Sequence, residues 1–132
     1  MSAFAEFKVD VAEIIDFGHT AIGHRRMVPI TGGTVSGQIG AGVILPGSDW
    51  QWIHPDGTVS LDAHYAIQLN SGELIEVESR GTRFTDVFGD VVFRTSIRLT
   101  TAANRPDINQ RMFNAIGKRL DNQVILQIFT VD

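Results

Sequence analysis

The sequence reads as a single all-β domain whose strands close into a small barrel. Segments with a two-residue hydrophobic period dominate the chain, and 13 glycines punctuate and bend them. Only one stretch carries a competing helical spacing. At 132 residues the chain fits one domain, 1–132, of a size that buries roughly two-thirds of the surface its unfolded form exposes. Its 43% hydrophobic and 20% charged residues suit a packed core rather than a disordered chain.

Taken in order, residues 11–17 leave strand and helix both open. Residues 34–45 set Gly37, Gly40 and Gly42 among Val35, Ile39, Val43 and Ile44. Glycines inside a strand mark sharp bends or close backbone approach, which a sheet needs in order to curl. Residues 58–69 show the cleanest alternation: Val59, Leu61, Ala63, Tyr65, Ile67 and Leu69 on one face, and Thr58, Ser60, Asp62, His64, Ala66 and Gln68 on the other. Turn residues bound this run, Pro55-Asp56-Gly57 before it and Asn70-Ser71-Gly72 after it, so residues 74–81 follow as its antiparallel hairpin partner. Residues 90–101 alternate Val91, Phe93, Thr95, Ile97 and Leu99 against Val92, Arg94, Ser96 and Arg98, and residues 123–131 are a further β-rich run. Over 107–120, Ile108, Met112, Ile116 and Leu120 fall at helical spacing behind Pro106, a good first helical residue.

Composition removes several functions. There is no cysteine, hence no disulfide framework, no zinc–thiolate site and no cysteine nucleophile. With 11 basic against 15 acidic residues, net charge −4 and scattered cations, the chain lacks the basic surface that nucleic acid requires. No apolar run approaches the roughly 20 residues that span a bilayer, so no membrane partner is expected. The opening ten residues lack a basic segment followed by a long apolar run, which predicts a cytoplasmic protein. His19, His24, His54 and His64 show no HxH or HExxH spacing, so no metal is expected. The glycine stretches lack a phosphate loop's context, there is no GxSxG elbow, and no cofactor is implied.

The string GHRRMVPITGGTVSGQIGAGVILPGSDWQW, with PDGTVSLDAHYAIQLNSGELIEVESRG at 55–81 and FRTSIRL at 93–99, resembles the bacterial and fungal domain-of-unknown-function family 3237. Pro29, Gly32, Gly33, Pro46, Gly47, Asp49, Trp50, Asp56, Gly57, Asp62, Tyr65 and Arg94 carry the match, which covers nearly the whole chain. The resemblance implies a small up-and-down, calycin-like antiparallel barrel, often oligomeric, with no settled activity. It also implies a strand rather than a helix at about 111–118, and we adopt the strand. The chain departs from the family pattern at His64, where arginine is common before the tyrosine, and at Asp107-Ile108-Asn109, where the pattern has Trp-Leu-Asn.

Two apart on one strand, Asp62 and His64 leave the same face, where a carboxylate can orient an imidazole acting as acid or base. If that face lines the barrel it is a catalytic site; if it faces water it is a solvated surface. Arg94, on the polar side of its strand, can hold a ligand oxyanion or a buried carboxylate. Asp49 with Trp50 and Trp52 sits in a Pro-Gly-bounded loop that serves as a pocket mouth or as a plug with Asp49 capping turn amides. Tyr65, the only tyrosine, is either core or a ligand contact. We expect Asp62, His64, Arg94, Asp49 and Trp50 to converge on one wet cavity. There an isomerase, lyase or cyclase would act on a small aromatic or carbonyl-bearing molecule; the alternatives are a carrier of small ligands and a structural oligomer subunit.

Long strands with one apolar face and bent edges predict a homo-oligomer, most often a two-fold dimer. Sedimentation at micromolar concentration is expected to show a species heavier than 14.5 kDa, and a lone 14.5 kDa species overturns the expectation.

Overall fold

Residues 3–131 are described in the structure, a computed structural model. The alternating segments become β1 (Ala5–Val11), β2 (Ile15–Thr20), β3 (Gly23–Gly37), β4 (Gly42–Ile44), β5 (Gly47–Ile53), β6 (Val59–Leu69), β7 (Leu74–Thr85), β8 (Val91–Thr101), β9 (Met112–Arg119) and β10 (Gln123–Val131). One helical turn, α1 (Pro106–Asn109), precedes β9.

The sheet closes because β1 pairs antiparallel on both edges: Phe7 lies opposite Val35 of β3 on one side and Leu126 of β10 on the other. Between β3 and β6, β4 and β5 act as two halves of one stave. β2 lies outside the closed wall against the first half of β3. The remaining eight staves follow one another in chain order, an antiparallel up-and-down barrel as the family resemblance implied, built of the strands that the alternation predicts.

β3 changes partners on both edges along its length, from β5 at Met27 to β4 at Thr34 and Val35 on one edge and from β2 at Met27 to β1 at Thr34 and Val35 on the other. The register with β1 shifts just before this point, between Asp10 and Val11. Gly33, at φ +137°, makes the bend possible, since a Cβ there would run into the Lys8 carbonyl.

One end of the barrel is filled. Phe7, Ile67, Ile75, Phe113 and Ile128 are fully buried there, and Ile108 of α1 is driven in beneath them. Phe4 packs on Phe113 with ring centroids 5.1 Å apart. Arg105 locks this plug: its guanidinium donates to Asp107 at 2.8 Å, Glu73 at 3.0 Å and the Ile39 carbonyl at 3.3 Å, tying α1 to two neighbouring turns.

The helical spacing over 107–120 yields only one turn. Of its stripe, Ile108 alone is buried, while Met112, Ile116 and Leu120 are exposed. The two-residue period through Phe113 and Ala115 buries more apolar surface and prevails, as the family resemblance implied. Among the described residues, no helix is long and apolar enough to cross a membrane.

Phe7→Ala is expected to cost about 3–5 kcal/mol in urea unfolding, and Gly33→Ala about 1–3 kcal/mol through its backbone conformation, with steric cost added. A Gly33→Ala protein as stable as the parent contradicts the bend.

Candidate functional site

Strand parity puts Asp62 and His64 on one face as expected, but that face is the outside of the barrel. The opposite face of β6 carries Leu61, Tyr65 and Ile67, whose burial fixes which side turns inward. Asp62 accepts from Arg80 Nε at 3.2 Å, and His64 Nε2 bonds Glu76 at 2.6 Å. Both pairs are half exposed or more, so each contributes at most about 1 kcal/mol. Arg94 also points outward, between the buried Phe93 and Thr95, and donates to the Phe93 carbonyl at 3.1 Å.

Trp50 and Trp52 are on a strand rather than a loop, and they neither plug the barrel nor line its mouth. They sit on the outer wall with the Arg25 guanidinium 4.9 and 4.1 Å from their ring centroids. Trp50 also packs on Phe17 at 5.6 Å. Asp62, His64 and Trp50 do meet, around a shallow outer hollow shared with Glu78 and Arg80. His64, Glu76 and Glu78 bring their donor atoms within 4.8 Å of one another, the one group among the described residues able to share a cation. The five expected residues therefore do not converge. Asp49 and Tyr65 alone of the sequence candidates reach the interior.

The interior face of β5 carries Asp49 and Gln51 toward the open end of the barrel. Gln51 Nε2 donates to Asp49 Oδ2 at 2.9 Å, the Asp62 amide donates to Asp49 Oδ1 at 3.0 Å, and Arg26 Nη2 donates to Gln51 Oε1 at 2.9 Å. Burial raises the Asp49 carboxyl above the usual aspartate range, outweighing the Gln51 and Asp62 hydrogen bonds and the Arg83 charge that pull it down. Tyr65 is pushed well up, by burial first and by the Asp49 charge second, so its phenol stays protonated.

Three buried side-chain atoms among the described residues lack any hydrogen-bond partner: Tyr65 Oη, Thr95 Oγ1 and Arg26 Nε. All three residues line this open end. Unpartnered buried polar groups are costly, and they gather here rather than along the outer wall. Asp49, Tyr65, Ser79, Thr95 and Arg119 meet a larger apolar lining, Val28, Ile30, Leu61, Phe93 and Leu126 among it, around a small cavity of about 40 Å³, room for a water or a small substituent. It adjoins, at Arg119, a wide mouth of about 750 Å³. Burial and the charges of Arg26 and Arg119 lower the Arg83 guanidinium from its usual value, which places the three arginines in one another's field.

Arg26, Gln51, Arg83 and Arg119 escaped the sequence reading, although a signal was there. Continuing the inward parity of each strand to its end leads from Val28 to Arg26, from Ser79 to Arg83 and from Ala115 to Arg119.

The profile of the family described as "Protein of unknown function (DUF3237)" matches residues 1–131. The chain belongs to the DUF3237 family. Among its DUF3237 relatives, a UPF0311 protein of Rhodopseudomonas palustris is 37% identical over 92% of this chain and 89% of its own length. A UPF0311 protein of Bradyrhizobium diazoefficiens is 40% identical over 58% of this chain, but the match spans only 51% of that relative. A crystal structure of a β-barrel-like protein from Acinetobacter baumannii superposes with a TM-score of 0.93 at 28% identity, covering 99% of this chain and 94% of the other. A structure described as an enzyme from Penicillium herquei shares the fold at 18% identity, with a TM-score of 0.70 over 97% of this chain and 96% of that one.

Because the folded protein holds the Asp49 proton more tightly than the unfolded chain, the stability this group lends is full below its ordinary value of 3.8 and is lost as pH rises through the raised folded value. Asp49→Asn has no such loss. Its melting temperature relative to the parent is expected to climb from about pH 4 to about pH 7, and a flat difference contradicts the shift.

Proposed function

We propose that the open end of this DUF3237 barrel is the active site of an isomerase, lyase or cyclase that needs no cofactor and moves a proton on a small carbonyl-bearing or aromatic molecule. Asp49 is the proton-transfer group. The observation that carries the reading is its largely buried carboxyl, raised above the ordinary range at the edge of a mostly apolar cavity and beside two unpartnered hydroxyls, Tyr65 Oη and Thr95 Oγ1. A raised pKa makes the Asp49 carboxylate a stronger base and brings its acid form closer to neutral pH. Gln51 and the Asp62 amide fix its orientation by holding one oxygen each. Tyr65, kept as a phenol, can donate to oxyanion charge that develops as the proton leaves carbon.

The acid/base role thus passes from Asp62 and His64, which face solvent, to Asp49, for which the sequence left a pocket mouth and a turn-capping plug both open. A carrier would be served by a lumen lined by aliphatic side chains alone, whereas this mostly aliphatic one also carries Asp49, Tyr65, Ser79, Thr95 and Arg119; a structural subunit would be served by a solid one. The unpartnered hydroxyls beside Asp49 favour catalysis over both, because neither alternative gives a reason to bury them. The fold hosts a protein described as an enzyme in Penicillium herquei, and fold alone decides no chemistry.

Proton transfer can be tested before the natural substrate is known, by following loss of α-C–H signals from a panel of enolisable aryl ketones in D2O by proton NMR. The expected result is exchange above the buffer rate, lowered about 10²–10⁴-fold by Asp49→Asn, less by Tyr65→Phe and not at all by His64→Ala. Exchange that survives Asp49→Asn, or that never exceeds buffer, overturns the proposal.

A further inference from the structure

We infer that Arg26, Arg83 and Arg119 form an oxyanion subsite at the barrel mouth, so that the ligand is an organic anion: an apolar body bearing a carboxylate or an ionised enol or phenol. This rests on the open end being the functional site and goes on to name the class of molecule it takes.

The charge distribution carries the inference. The protein is acidic, at net charge −4, yet the mouth is lined by Arg26, Arg83, Lys118 and Arg119 and by no carboxylate. None of the three arginines enters an ion pair among the described residues. Arg26 spends one nitrogen on the Gln51 amide oxygen and keeps a buried Nε without a partner. Arg119 spends its Nε on the Leu120 carbonyl, and Arg83 stacks loosely on Phe93, 5.9 Å from the ring centroid. Acids are near but none is at ion-pair distance from the three arginines: Glu13, Asp16 and Asp121 share a neighbouring hollow with Arg26 and Arg119, Asp16 there accepting from the Gly18 amide and bonding His24 at 2.8 Å, and Asp49 acts on Arg83 by its charge alone. Three guanidinium groups held together with partial burial repel one another, and an anion seated among them relieves that repulsion and supplies the missing acceptors.

The walls say what the anion is attached to. Ile14, Ile53, Val59, Phe84 and Val91 surround the arginines with apolar surface, which inorganic phosphate would leave unused. The inner cavity of about 40 Å³ admits a water or a small substituent, so the body of the ligand rests in the mouth while its reacting edge meets Asp49 and Tyr65. The arginines also fit the proposed chemistry, because a bound carboxylate or enolate oxygen gains from them as negative charge grows beside it.

The test compares 2-naphthoate with the neutral isostere 2-naphthamide and with inorganic phosphate, each by calorimetry and by amide shifts in NMR. Naphthoate is expected to shift mouth residues and to bind at least tenfold more tightly than the amide. Arg83→Gln and Arg119→Gln should each lower its affinity tenfold or more without touching amide binding, while Arg98→Gln on the outer wall leaves both unchanged. Phosphate should not displace it. Amide and carboxylate binding equally at the mouth overturns the anion subsite while leaving the open end as a ligand site. Phosphate competing as strongly as naphthoate overturns the organic anion. Absence of mouth shifts with naphthoate at about 10 mM, the weak end of measurable binding, overturns the subsite outright, and the D2O exchange result then stands or falls by itself.

Discussion

β1 hydrogen-bonds along both of its edges, to β10 through Ala5 to Asp10 and to β3 through Ala5 to Val11. A sheet so closed has one inside and one outside, and every strand must commit each face to one or the other for its whole length. The choice is made where the apolar residues are densest. Phe7, Ile67, Ile75, Phe113 and Ile128 decide it near the filled end, and residues farther along the same strands have no say in where they point.

That constraint explains how charged residues come to be inside. Along β9 the inward positions run Phe113, Ala115, Gly117, Arg119, and along β7 they run Ile75, Val77, Ser79, Gly81, Arg83, a passage from core to small residue to cation. The small residues are as necessary as the large ones: a Cβ at Gly117 would strike the Phe93 ring, which lies over the cavity. Apolar packing at one end holds a polar assembly at the other in place, and the hydrogen bonds from Arg26 through Gln51 to Asp49 need no further scaffold.

The fold was legible in the sequence because period-two alternation in β6, β7 and β8 reports local backbone geometry directly. The strand at 112–119 was not legible from spacing alone, since Ile108, Met112, Ile116 and Leu120 fit a helix equally well, and only the resemblance to a family decided it. Asp62 and His64 illustrate the limit on the site. Alternation shows that they share a face, but the polar face of a strand is the outer one unless something else fills the wall, and Leu61, Tyr65 and Ile67 do not yield the interior. The polar cavity residues Asp49, Tyr65, Ser79, Thr95 and Arg119 come from five separate strands, β5 to β9, with no common motif. Their meeting depends on inter-strand register, such as Asp49 opposite Ala63 and Arg83 opposite Phe93, which no local pattern encodes.

The Arg105 clamp gives the barrel a sealed floor, with Ile108 beneath the core and Glu73, Asp107 and the Ile39 carbonyl gathered on one guanidinium. Under the proposed reading, a molecule that reaches Asp49 past Arg119 meets packed core behind it, so it leaves by the way it came and its release competes with the next arrival.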